Sequence, residues 1–263
     1  MMVATTRDRI RETRSLATQA SVRLPSPRVV LVLAGIETRK ILIHPAFLGT
    51  MAVVGLFATR AVGSNANLGW LVGGLSVGVV AGGFISVNLA TQRARRDRVL
   101  ELFGSLPAPV ESRTLAVLLA AVFGPVGLSV LVAGIGGAIL ETKANIALYI
   151  DLALIVQIPL TVAALNALGV TLGRWIPSPV TAPVVLVAQV MTGLVWVVPW
   201  VAPTTTGIHM GPHFTYLVSF IVLASALALL RDRRTPLRLI VTGVAFGLMV
   251  YGAANQLPPG GLI

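Results

Sequence analysis

An all-α bundle, a polytopic membrane protein with six to seven transmembrane helices, is what this chain predicts. Composition, run length and charge placement each argue for it. Hydrophobic residues make up 56% of the 263 residues and charged residues 11%. A soluble domain carries about 25% charged residues, and the mean hydropathy of +0.89 points the same way. The apolar residues gather into runs of the length a membrane helix needs, roughly 20 residues. A β-barrel would alternate lipid-facing and lumen-facing positions, whereas these runs are apolar on all sides.

Residues 1–27 are polar and rich in Arg, Ser and Thr, and they predict a cytoplasmic N-terminal arm. No apolar h-region with a cleavage site follows the arm closely, so the first long run is expected to act as an uncleaved anchor. Residues 28–45 are apolar but interrupted by Glu37, Arg39 and Lys40. One charge at a span centre costs about 2.5–3.5 kcal/mol on insertion scales. Three together predict an interfacial elbow helix along the membrane surface; the other reading makes it part of a longer first span. Pro45 then permits a sharp change of direction.

Residues 46–263 make up the transmembrane domain. Its apolar runs are Ala46–Val62, Leu68–Ala90, Thr114–Leu140, Ile146–Leu172, Val180–Ala202, Phe214–Leu230 and Leu237–Ala254. The fifth contains Pro183 and Pro199 and is expected to bend or break. Seven crossings put the C-terminus outside. A re-entrant sixth or seventh run would reduce the count to six and keep the C-terminus inside.

Lys and Arg orient the bundle. Eight lie before the first run: Arg7, Arg9, Arg11, Arg14, Arg23, Arg28, Arg39 and Lys40. Arg93, Arg95, Arg96, Arg98 and Arg113 follow the second, Arg174 the fourth, and Arg231, Arg233, Arg234 and Arg238 the sixth. Only Arg60 and Lys143 fall on the other side. The basic side is the cytoplasmic one, so the arm and the 91–113 loop face the cytoplasm. The net charge of +11 thus marks topology and contact with anionic headgroups, and nucleic acid is not an expected partner.

The cytoplasmic loop 91–113 contains a short amphipathic helix over 97–107. Val99, Leu102, Phe103 and Leu106 follow the i, i+3, i+4, i+7 pattern of one helical face. Arg98 and Glu101 lie off that face, and Pro107 ends the helix. An apolar knob at the mouth of a membrane bundle suggests docking to something outside the membrane; a helix resting on lipid is the plainer reading.

Gly74, Gly78 and Gly82 form a small-residue stripe at four-residue spacing, which lets helix backbones approach closely. The stripe fits packing within one bundle or a dimer interface. Gly169 and Gly173 repeat the spacing. Asn88, Gln157, Asn166 and Gln189 are polar residues inside apolar runs. Such groups are costly unless paired, so they act as glue between helices or line a substrate path. Asp151 stands near a run's outer end, where it reaches the headgroups. His209 and His213 have a spacing that metal sites use, but Gly211 and Pro212 between them disfavour the helix it requires, and no metal is expected. The sequence has no Cys, so disulfides and thiolate chemistry are excluded. No nucleophile elbow, zinc-protease motif or P-loop occurs. The chain is therefore not expected to be an enzyme, nor to bind a cofactor.

A cytoplasmic arm, a helix ending E-x-R-K-x-x-x-H-P, two apolar runs and a basic loop with a short helix resemble the permease subunits of type-2 ABC exporters. The segments Glu37–Pro45, Arg98–Arg113 (RVLELFGSLPAPVESR) and Gly173–Pro179 (GRWIPSP) look most like bacterial, especially actinobacterial, members. The resemblance implies a subunit of the bacterial plasma membrane that pairs with a second permease, identical or related. It also implies two separate ATPase subunits at the cytoplasmic face, which use ATP and Mg. The 97–107 helix would be the coupling helix, with Val99, Leu102, Phe103 and Leu106 as docking knobs and Arg98 and Glu101 as rim contacts. The family's usual number of spans is six, and this chain offers a seventh. A non-transporting membrane scaffold and an ion-driven secondary transporter are the competing expectations. The transported substrate is not written in the sequence.

Overall fold

The computed structural model describes residues 26–62, 68–96, 110–144, 152–196 and 209–255. Side chains are described except at 54, 57–62, 68–77, 94–96, 110, 132–133, 135–144, 152–155 and 189–196. Among the described residues there are eight helices and no strand: α1 Pro27–Leu42, α2 Pro45–Val62, α3 Leu68–Arg96, α4 Val110–Ala144, α5 Leu152–Trp175, α6 Thr181–Trp196, α7 Met210–Leu230 and α8 Pro236–Asn255. Four helical segments are long and apolar enough to cross a membrane: Glu111–Leu131, Val156–Trp175, Met210–Leu230 and Pro236–Asn255. They mark the chain as a membrane protein.

Local chemistry sets the helix boundaries. Pro27 occupies the first turn of α1, where its missing N–H is no loss, and Arg39 and Lys40 sit in the last turn, where cations favour the helix dipole. Pro45 restricts His44 to extended backbone, which ends α1 and opens α2. His44 Nδ1 accepts the Ala46 N–H at 3.2 Å, so the imidazole satisfies one of the orphan donors at the start of α2. Thr235 plays the same part for α8, its Oγ1 accepting the Arg238 N–H at 3.3 Å.

Contacts between helices fix their directions. Going along the chain, Asn88 meets Gly169, Thr91 meets Gly173, and Gln92 meets Ser178, so α3 and α5 run the same way. Thr171 Oγ1 donates to Ala224 O at 2.6 Å and Trp175 Nε1 to Leu227 O at 3.0 Å, which aligns α7 with α5. Between them α4 runs the other way, with Ala121 beside Asn166 and Thr114 near the end of α5. α8 folds back along α7 as a hairpin. A Cβ at Gly252 would stand 2.7 Å from Tyr216 N and 2.8 Å from Pro212 O. The bundle therefore has a polar end, where α3, α5 and α7 finish and α4 and α8 begin, and α8 closes at the opposite end.

The first helix, over residues expected to form an elbow, packs on α4. Val30 and Ala34 pack with Ala116, and Thr38 stands against Gly124, 2.9 Å from where a Cβ would be. The later residue of α1 meets the later residue of α4, so α1 runs alongside the first half of α4 and in the same direction. Two observations explain why its charges allow this. Lys40 and Glu37 pair at 2.7 Å, which offsets two of the three, and Arg39 faces outward. The buried stripe Val30, Ala34 and Ile41 supplies the apolar face, and Ile41 joins Val87, Leu118, Ala121, Val170 and Ala228 in the core.

Candidate functional site

Polar side chains concentrate at the end of the bundle where α3 and α4 meet the 97–109 segment. Asp232, in the turn between α7 and α8, pairs with Arg174 at the end of α5 and accepts a hydrogen bond from Thr114 in α4. One carboxylate thus ties three parts of the bundle. Arg238 of α8 lies 3.3 Å from Glu111 in the first turn of α4. Its Nη1 also donates to Leu229 O at 2.9 Å and Arg233 O at 3.0 Å. The last carbonyls of a helix have no partner within it, and a cation there is favoured by the helix dipole. Arg238 and the Trp175 indole thus bond two of the last four carbonyls of α7, those of Leu229 and Leu227. On the α3 side, Gln92 Nε2 bonds Asn88 Oδ1 at 2.7 Å and Ser178 O at 2.9 Å, which ties α3 to the connection between α5 and α6.

Deeper in the bundle, Asn166 is fully buried and its Nδ2 donates to Ala121 O at 3.1 Å. Pro125 lies four residues after Ala121 inside α4. Proline has no N–H, so the Ala121 carbonyl has lost its ordinary helical donor. Asn166 replaces it from a neighbouring helix, as apolar surroundings demand. Asn88 donates to Gly169 O at 3.1 Å where the two backbones approach closely, since a Cβ at Gly169 would meet Phe84 O at 3.0 Å. At Gly173 the corresponding neighbour is Asn88 O, also at 3.0 Å.

The sequence-derived site residues are dispersed. Arg98, Val99, Glu101, Leu102, Phe103 and Leu106 lie outside the described residues, as does Asp151. Glu37, Arg39 and Lys40 occupy the second half of α1. Of the glycine stripe, Gly78 is buried and Gly82 packs against Phe47 and Thr50 of α2, a contact within the chain. Gly74 lies in α3 and Gln189 in α6, without described side chains. Asn88, Gln157 and Asn166 are buried. His213 is buried and His209 exposed, and no group of three metal-ligating side chains forms among the described residues.

Sequence reasoning treated Arg174 and Arg238 only as topology markers and passed over Thr114 and Asp232. The available signal was Asp232 itself, a lone acid within the basic string Arg231–Arg234. An open apolar groove of about 360 Å³ lies between α4, α5 and α7, with Phe123, Val130 and Val156 exposed along it. Phe123, Val126, Val156, Pro159 and Ile221 are among its lining residues. It can hold hydrocarbon but offers a ligand no hydrogen bonds. Comparison with protein-family models, with curated proteins and with solved structures gives no match.

Proposed function

We propose that this chain is the permease subunit of an ATP-driven exporter in a bacterial plasma membrane. In this reading it forms the substrate pathway with a second permease and couples to separate ATPase subunits through the 97–107 helix. The observation that supports the reading is how the helices on either side of that segment are tied into the bundle. It leaves α3 at Arg96 and enters α4 at Val110, and Glu111 and Thr114 at the start of α4 belong to the polar network. A displacement of the loop would pass through Glu111 to Arg238 and α8, and through Thr114 to Asp232, Arg174 and α5. ATP binding would close the ATPase pair, and the bundle would shift between two access states according to their different affinities for it. The alternation of helix directions favours seven crossings and an external C-terminus.

The test is co-purification with an ATPase carrying a P-loop. Phe103→Asp should abolish that complex while the permease stays inserted, with the neighbouring apolar knobs Val99, Leu102 and Leu106 giving smaller losses. ATP-driven export unaltered by Phe103→Asp would refute the docking role. Movement of substrate on an ion gradient without any ATPase would identify a secondary transporter instead, and a stable complex that moves nothing would identify a scaffold.

A further inference from the structure

We infer that the turn between α7 and α8 is a binding site for the headgroups of anionic phospholipids. Its sequence is Arg231, Asp232, Arg233, Arg234, and the fold sorts these charges. The Asp232 side chain is only 3% exposed and points inward to Arg174. Arg231, Arg233 and Arg234 are exposed. The one acid of the turn is turned inside, so the three arginines are left on the surface of the turn. Guanidinium groups bind phosphate with directional paired hydrogen bonds.

The surroundings favour a lipid over an acidic protein. The Arg231 guanidinium stands 5.5 Å from the centroid of the Trp175 ring. Trp175 is anchored through its indole N–H to Leu227 O yet remains 42% exposed. Ile176, Val180 and Leu237 are exposed close by along the chain. Two of the membrane-length segments end at Trp175 and Leu230, and a third begins at Pro236. The turn therefore lies at the membrane–water boundary, where Trp side chains collect and basic residues gather anionic lipid. A phospholipid offers a phosphate to the arginines and hydrocarbon to the apolar side chains beneath. Arg238 is not part of this surface, because its guanidinium is engaged with Glu111 and two carbonyls.

Native mass spectrometry of the full chain in detergent tests the assignment, with phosphatidylglycerol or phosphatidylcholine of the same acyl chains added. The inference rests on membrane residence and not on the exporter reading, so the two fail separately. Wild type should retain phosphatidylglycerol at least tenfold better. Replacing Arg231, Arg233 and Arg234 together with Gln should lower the preference, by up to about fivefold per arginine. Replacing the same three with Lys should keep most of it, and Trp175→Phe should weaken it. Equal retention of the two lipids by wild type would overturn the proposal, as would an undiminished preference in the Gln variant. Competition by soluble glycerol phosphate as strong as by the lipid would also overturn it, because the turn would then be a simple anion site. Loss of a soluble protein partner in the Gln variant, with lipid preference intact, would make the turn a protein-docking surface.

Discussion

Asn166→Ala removes the donor that replaces the N–H the Ala121 carbonyl lost to Pro125, and its effect can be worked out beforehand. The Ala121 oxygen has its cross-helix partner at 3.1 Å, between two fully buried residues. A buried polar group left unpaired costs about 1–3 kcal/mol. Hydrogen bonds between membrane helices average about 0.6 kcal/mol, with a maximum near 1.7. We therefore expect a loss of about 1–2 kcal/mol, including the small void left by the truncated side chain. Pro125→Ala restores a backbone N–H four residues after Ala121. In the Asn166→Ala background this new donor should recover about 1 kcal/mol, while the void is common to both variants and cancels. The assay is reversible unfolding in mixed micelles, followed by circular dichroism, over the full double-mutant cycle. Additivity within about 0.5 kcal/mol would refute the replacement of one donor by the other.

Other outcomes follow from the same contacts. Asp232→Ala removes the carboxylate shared by Arg174 and Thr114 and should cost about 1–3 kcal/mol, whereas Glu111→Gln, at the longer 3.3 Å pair with Arg238, should cost about 0–1 kcal/mol; thermal melting in detergent would contradict this if the two losses were equal. Gly252→Ala places a methyl against the Tyr216 and Pro212 backbones and should cost about 1–3 kcal/mol. Gly247→Ala, with nothing within 4 Å of the new atom, should be neutral or slightly stabilising, and a melting point lowered as much as by Gly252→Ala would count against the close α7–α8 approach. Burial, and secondarily the nearby Arg93 guanidinium, hold the His44 imidazole below its usual value. The unfolded chain therefore binds the proton more readily, so stability should fall as pH drops from about 6.5 through the lowered value. His44→Asn, which keeps a capping oxygen, should flatten that stretch of the stability–pH curve, and an unchanged slope would remove His44 as its source.

Among the described residues each apolar run of the sequence holds one helix, because apolar length and proline punctuation are local properties. What escaped were relations between distant residues. Asp232 reads as one more charge in a basic loop until Arg174 and Thr114 converge on it. Gly82 belonged to a visible stripe, but Gly83, against Asn166, and Gly252, against Tyr216, matter as much and had no repeat to announce them. Pro125 could have been read as a freed carbonyl in search of a donor, since the rule is local even though the answer came from another helix. The packing of α1 on α4 was likewise hidden, since it joins residues more than 80 positions apart. For residues 97–107 the amphipathic pattern gives a face, and the described helices show where the segment is attached.

The break in the α4 hydrogen-bond ladder at Pro125 also gives that helix a mechanical character. Its first half is fastened at the polar end through Glu111 and Thr114, while its last residue, Ala144, lies about 28 Å beyond the proline. A swing of about 10° at Pro125 would carry Ala144 through about 5 Å. Because the Ala121 carbonyl is held by a side chain with rotatable bonds, such a swing need not leave it unpaired. α4 is thus built as a lever with a fixed short arm, and Asn166 is the part of α5 that stays in touch with its fulcrum.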